Sequence, residues 1–292
     1  MDNTIPICAN CRKPCVGGYY TYSWKTDIWK RELIFCSDCH TKPHCKICGS
    51  RKDVAPLRDG RMYCGMCRWN GVYTIDQGRS YLVAAQKMLS ERFEFPIDPT
   101  LIIKILPSEI FYQNSKERKA LGYYYGNKFY NDWHFILTGD NRTLYVWQED
   151  AVKDEIHILD GLPYPVFFNV VAHELSHSYL RRHFGAFPSK KLEEGFCEAI
   201  AAACSAFNGN PEVTECLHFL NLDPVYGDGF RMIYDMLLKQ GWKAVMAYLQ
   251  KNSQTKEEYV WANIYNWMSD EMAEKIRQSP VKPQLKFEKY PG

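Results

Sequence analysis

The sequence predicts an α+β protein in two parts: a small cysteine-rich unit, then a larger domain made of a small sheet and a helical lobe. Three observations predict it. Nine of the twelve cysteines fall within the first 67 residues, eight of them as four C-x-x-C pairs. Residues 97–160 carry short runs of β-branched and aromatic residues between turn signals. Residues 164–278 are dominated by helical periodicity, and one of those helices carries His173-Glu174-Leu175-Ser176-His177. The expected boundaries are 1–72 for the cysteine unit, 73–96 for a connecting helix, 97–280 for the larger domain and 281–292 for a tail.

The cysteine pairs are Cys8/Cys11, Cys36/Cys39, Cys45/Cys48 and Cys64/Cys67, separated by gaps of 24, 5 and 15 residues. Four such pairs make two zinc sites of four thiolates each, and sequential pairing is the most economical. Cys8, Cys11, Cys36 and Cys39 would hold one zinc, and Cys45, Cys48, Cys64 and Cys67 the other. Cys15, His40 and His44 are left over, and His40 or His44 could stand in for one Cys. Residues 1–70 are too few and too polar for a good core, so metal would supply much of the folding energy. The run Tyr19-Tyr20-Thr21-Tyr22-Ser23-Trp24 reads as strands of a finger hairpin, with base stacking the rival. Residues 1–70 carry 12 Lys/Arg against 6 Asp/Glu. Two tetrathiolate zinc centres, each carrying about −2, reduce that excess to about +2. Support for a phosphate-binding face is therefore weak.

The whole chain has 292 residues and a formal net charge of +2, so no strong field points to nucleic acid or membrane. Nothing reads as a signal peptide, and no run of eighteen apolar residues could span a membrane. The expected compartment is the reducing cytoplasm, where paired cysteines bind metal more often than they form disulfides.

Ile75, Leu82, Ala85, Leu89 and Phe93 mark a helix over about 74–94, ending before Pro96. Strands are expected at 101–106, 123–127, 134–137, 143–147 and 155–159, forming one sheet of four or five strands. His157 reads as a structural strand histidine. Gly161 to Pro165 then turns the chain into a helix over about 164–184. Its lead-in, Val166 to Ala172, is apolar, so the helix is largely buried. Residues four apart on a helix differ by about 40° around its axis, so His173 and His177 can hold one metal between them. Glu174, about 100° round, can flank the metal without binding it.

A second helix is expected from Lys190 to Phe207, stopping at Asn208-Gly209. It carries the third ligand, Glu194, with Glu193 the competitor, because sequence does not fix helical phase to one residue. Glu198 either accepts a hydrogen bond from a ligand histidine or is a solvated charge. Cys197, Cys204 and Cys216 read as small packing residues. Further helices are expected at 212–220, 226–239, 242–250 and 256–277, with a frayed tail from Ser279.

His173-Glu174-x-x-His177 followed by Glu194-Gly195-Phe196 resembles the gluzincin peptidases, in which the Glu before that Gly is the third zinc ligand. The cysteine unit resembles a LIM domain, although its joint of five residues is longer than the usual two. The two together, with the stretch Tyr226-Gly227-x-Gly229-Phe230-Arg231, resemble the plant LIM-containing peptidases that limit organ size and are activated by ubiquitin. The similarity spans roughly residues 5–250. The resemblance implies a zinc peptidase with one catalytic and two structural Zn2+, acting on a protein or peptide, and a LIM-like module that binds proteins. Glu174 would be the general base, and Tyr226 or Tyr234, with His218 third, the donor to the oxyanion. It also implies ubiquitin-linked regulation. However, the ubiquitin-interacting helices of those proteins have no counterpart before Cys8. The rival readings are a catalytically inactive zinc-finger adaptor that binds proteins and, behind it, a nucleic-acid-binding zinc protein. Cleavage inside chains is favoured over aminopeptidase action, since no carboxylate pair for a substrate amine stands out.

Overall fold

The structure, a computed structural model, describes residues 5–8, 11–25, 30–45, 47–48, 50–96, 99, 101–114, 120–125, 133–139, 142–148, 155–184, 187, 189–209, 218, 223–254, 258, 261 and 268–289. It is a mixed α and β protein with several small sheets. The first cysteine unit is a hairpin closed by two knuckles. Antiparallel β1 (Tyr19–Lys25) and β2 (Lys30–Cys36) run in register from Tyr19 opposite Cys36 to Lys25 opposite Lys30. The aromatic run thus forms a strand, as expected. β2 delivers Cys36 to the start of a single turn, α1 (Ser37–His40), which buries Cys39.

The second unit repeats the plan with a shorter hairpin, β3 (Val54–Pro56) and β4 (Met62–Cys64). Gly60, at φ +83°, makes the turn that only glycine adopts without strain. Cys64 begins α2 (Gly65–Trp69), and its sulfur accepts a hydrogen bond from Cys67 N. The chain leaves this unit through β5 (Gly71–Val72).

Thr74 and Gln77 then form a reciprocal capping box that starts α3 (Ile75–Phe93), close to the expected span. Ala85, Leu89 and Phe93 form its buried stripe. β6 (Ile102–Leu106), α4 (Ser108–Asn114), β7 (Gly122–Tyr125), β8 (Trp133–Leu137), β9 (Thr143–Gln148) and β10 (Glu155–Leu159) follow. The expected single sheet is corrected to two. One has the order β6-β10-β7, with β10 parallel to β6 and antiparallel to β7. The other is completed by the tail: β12 (Gln284–Lys289) pairs in parallel with β9, which pairs antiparallel with β8. Through Lys289 the tail is therefore not frayed. Leu285 enters a small separate core with Leu144, Val146 and Ile276, and that burial holds it in place.

β11 (Leu162–Pro163) leads straight into α5 (Tyr164–His183), with Pro165 in the first turn, where no backbone donor is lost. α6 (Lys190–Phe207) starts on a Ser189 cap and matches the expected span. α7 (Tyr226–Gln240) and α8 (Trp242–Asn252) are joined at Gly241, φ +81°. Of the helix expected over 256–277, Glu258 and Trp261 are helical, but residues 268 and 269 interrupt it, and Ser269 caps a separate α9 (Asp270–Gln278), its side chain accepting from Met272 N. The helix expected at 212–220 lies outside the described residues, apart from His218.

The main core is built around α5, which packs on α3, α6 and the β6-β10-β7 sheet. Two close approaches seat it. A Cβ on Gly78 of α3 would come within 2.7 Å of the Phe167 ring. A Cβ on Gly195 of α6 would meet the Gly229 backbone of α7 at 2.3 Å, so those helices touch backbone to backbone. Among the described residues, no helix is long and apolar enough to cross a membrane.

Candidate metal centre

α5 and α6 pack side by side and bring three ligand atoms into a near-equilateral triangle. His173 Nε2 lies 3.1 Å from His177 Nε2 and 3.5 Å from Glu194 Oε2. His177 Nε2 lies 3.4 Å from the same oxygen. Two ligands about 2.0–2.1 Å from a tetrahedral zinc stand about 3.3 Å apart, so these separations fit one shared ion. Two imidazole nitrogens facing each other need a proton or a cation between them.

The other ring nitrogens lie near carboxylates of α6, the helix that carries Glu194. His177 Nδ1 lies 3.3 Å from Glu193 Oε1, which Arg181 also holds at 2.9 Å. His173 Nδ1 lies 3.6 Å from Glu198 Oε1, whose partner oxygen pairs with the buried His218. This settles the helical phase. Glu194 faces both Nε2 atoms, whereas Glu193 and Glu198 stand behind the histidines and orient them. Glu198 is thus engaged rather than a solvated charge.

Burial would raise the Glu194 carboxyl, but hydrogen bonds from both histidines hold it well below the usual range. Burial would lower His173 and His177; the surrounding carboxylates, and for His177 also the Cys197 thiol, more than offset it and hold both above their ordinary value. The centre therefore favours positive charge where a metal would sit. Burial pushes Cys197 itself up to about 12.

Glu174 is buried, and that burial raises its pKa. The backbone N–H of Tyr124, on β7, donates to its carboxylate. β7 can come this close because residue 122 is glycine: a Cβ there would lie 2.6 Å from Glu174 Oε1. Tyr124 also stacks on His177, with ring centroids 6.4 Å apart. Tyr124 and Gly122 are site neighbours that sequence reasoning missed.

The cysteines group as expected. Cys8, Cys11, Cys36 and Cys39 offer sulfurs within 4.8 Å of one another, as do Cys45, Cys48, Cys64 and Cys67. The Cys11–Cys36 and Cys48–Cys64 sulfurs stand 3.9 and 3.7 Å apart, against about 3.8 Å for thiolates on a tetrahedral zinc. Hydrogen bonds, first from Cys67, pull Cys48 down to about 5, so the second group already stabilises a thiolate. His40 stacks on Tyr20 at 3.7 Å rather than joining a cysteine group. Cys15 is buried against Cys8 and Cys39. Among the described residues there are therefore two four-cysteine groups and one His-His-Glu group able to hold metal ions.

Tyr226 and Tyr234, the two tyrosines expected as oxyanion donors, sit on α7. The Tyr226 ring lies 5.5 Å from Lys190 Nζ. Tyr234 stacks on Phe230, which stacks on His218. His157 pairs with Glu155 at 2.9 Å, outside the metal triangle. Comparison of the chain with protein-family models, curated proteins and solved structures found no match.

Proposed function

We propose that the chain is a zinc-dependent peptidase that hydrolyses peptide bonds in protein substrates. The observation that carries this reading is the triangle of His173, His177 and Glu194, with the buried carboxylate of Glu174 beside it. Zinc is the fitting ion for two imidazoles and one carboxylate; when bound it would supply Lewis acidity that acidifies water and polarises a carbonyl.

The protein's own residues do the rest. Glu193 accepts from His177 Nδ1, and the Glu198 carboxylate, 3.6 Å from His173 Nδ1, favours a proton there, so both Nε2 lone pairs face the site. Glu174 takes a proton from the attacking water and returns it to the leaving amine. Its burial favours both steps, because a raised pKa makes it a better base and then a competent acid. Tyr124 N–H anchors the carboxylate so that it presents one oxygen. Tyr226 or Tyr234 donates to the developing oxyanion. Glu193 and Glu198 are both engaged, which leaves neither to hold a substrate's amino terminus, so internal bonds are the favoured targets.

The four-cysteine groups hold structural zinc, which suits a reducing compartment such as the cytoplasm. The first unit exposes Ile5, Ile7, Val16 and Tyr19, an apolar surface suited to binding protein. The test is Glu174→Gln in zinc-loaded protein. Cleavage of an unfolded protein substrate should fall about 100-fold or more with zinc content unchanged. Cleavage at the wild-type rate would overturn the mechanism, and no cleavage by either protein would favour the adaptor reading.

A further inference from the structure

The polar chain behind His173 continues past Glu198. Glu198 Oε2 pairs with His218 Nδ1. His218 Nε2 lies 2.9 Å from Asn169 Nδ2, and that amide nitrogen also donates to Ser205 Oγ at 2.9 Å. Asn169 is 3% exposed, Ser205 0% and His218 2%. Asn169 lies on α5 one turn before His173, Ser205 near the end of α6, and His218 between α6 and α7. Polar groups this deeply buried are costly unless each meets a partner, and here these do.

Chemistry fixes the direction of the chain. An amide nitrogen donates and does not accept. His218 Nε2, facing Asn169 Nδ2, therefore accepts, and the His218 proton sits on Nδ1, where it is donated to Glu198. Glu198 Oε1 stands 3.6 Å from His173 Nδ1, near enough for the carboxylate's charge to favour a proton on that nitrogen. That leaves the His173 lone pair on Nε2, the atom facing His177 and Glu194. The opposite His218 tautomer would set N–H against N–H and release Glu198.

We propose that Asn169 and His218 are positioning residues: they hold Glu198 and, through it, the metal-ready tautomer of His173. The inference rests on the zinc-site reading of His173, His177 and Glu194. Packing alone does not demand a histidine at 218. Its ring stacks on Phe230 at 5.3 Å, and any flat side chain of that size would fill the space.

The test has two arms on the full chain. In wild type with nitrogen-15 histidine, two-bond nitrogen–proton spectra near neutral pH should report His218 protonated on Nδ1 and bare on Nε2. The resonance is assigned by its loss in His218→Asn. The second arm measures, by chelator competition, the zinc whose binding depends on His173. In His218→Asn the amide nitrogen stands where Nδ1 was and still holds Glu198, so affinity should stay within about threefold. In His218→Gln it reaches the Nε2 position instead, and affinity should fall about 10–100-fold. The proposal is overturned if His218 carries its proton on Nε2 or is charged, or if the two variants bind zinc alike. If wild type holds no His173-dependent zinc, the peptidase reading fails, while the tautomer still decides this proposal.

Discussion

The two cysteine units offer the same four ligands, yet they are joined to the molecule differently. The first holds itself together: β1, β2 and α1 pack chiefly on one another around Cys8, Cys15, Phe35 and Cys39. The second runs through α2 into β5, which pairs with β11, the strand that opens α5. Gly161 N donates to Val72 O at 2.7 Å and Tyr164 N to Asn70 O at 3.1 Å. Arg61, clamped by Asp59, reaches Asp160 at 3.1 Å. Ile47 packs on the main core. The second four-cysteine group therefore braces the turn from which the His173 helix starts, whereas the first is an attached unit. Zinc at the second site should be felt at the His-His-Glu centre, and zinc at the first should not.

The largest expected effect divides the units. Cys64→Ser should cost zinc at its own site and also loosen zinc at the His-His-Glu centre, with activity down about 100-fold or more, since structural zinc contributes folding energy outright. Cys36→Ser should cost one zinc and leave activity within about threefold. Zinc analysis and cleavage assays check both, and equal losses would dissolve the distinction. Next comes the seat of the centre itself. Gly195→Ala puts a methyl into the Gly229 backbone, and thermal or denaturant unfolding should show a loss of about 3 kcal/mol. Gly139→Ala, with open space around it, should be silent.

A smaller effect probes the brace. Arg61→Met removes a partly buried ion pair to Asp160 and should lower stability by about 1 kcal/mol, with weaker zinc retention at the His-His-Glu centre. Arg51→Met, which removes a guanidinium over Phe35 in the first unit, should leave that zinc unchanged. The smallest is a pH slope. His173 and His177 sit above their ordinary value in the metal-free site. Their protonated forms stabilise the metal-free fold fully below about 6.5, and that contribution is lost as pH rises through the folded values. Zinc competes for the same lone pairs, so its affinity should fall as pH drops, beginning above about pH 6.5. Chelator competition across pH checks this, and a flat profile would argue against imidazole ligation.

What was legible in the sequence was local. C-x-x-C pairs and His-x-x-x-His are spacings, and they came together as spacing requires. The bounds of α5 and α6 were legible because Gly161, Pro165 and Asn208-Gly209 punctuate them. What was not legible was non-local. No pattern says that residues 284–289 pair with β9, or that β7 lies against Glu174 through Gly122. Glu193 and Glu194 differ by one helical step, so only the packing of α6 on α5 separates ligand from orienting residue. His218 carries no spacing signal at all; it reaches Glu198 from a separate stretch of chain.

The central claim is that His173, His177 and Glu194 form a zinc site separate from the two four-cysteine sites, and zinc per chain tests it most directly. Elemental analysis after chelator-free purification should find about three zinc ions per wild-type chain, one for each ligand group, and about two in His173→Ala. About two in both proteins would contradict the account.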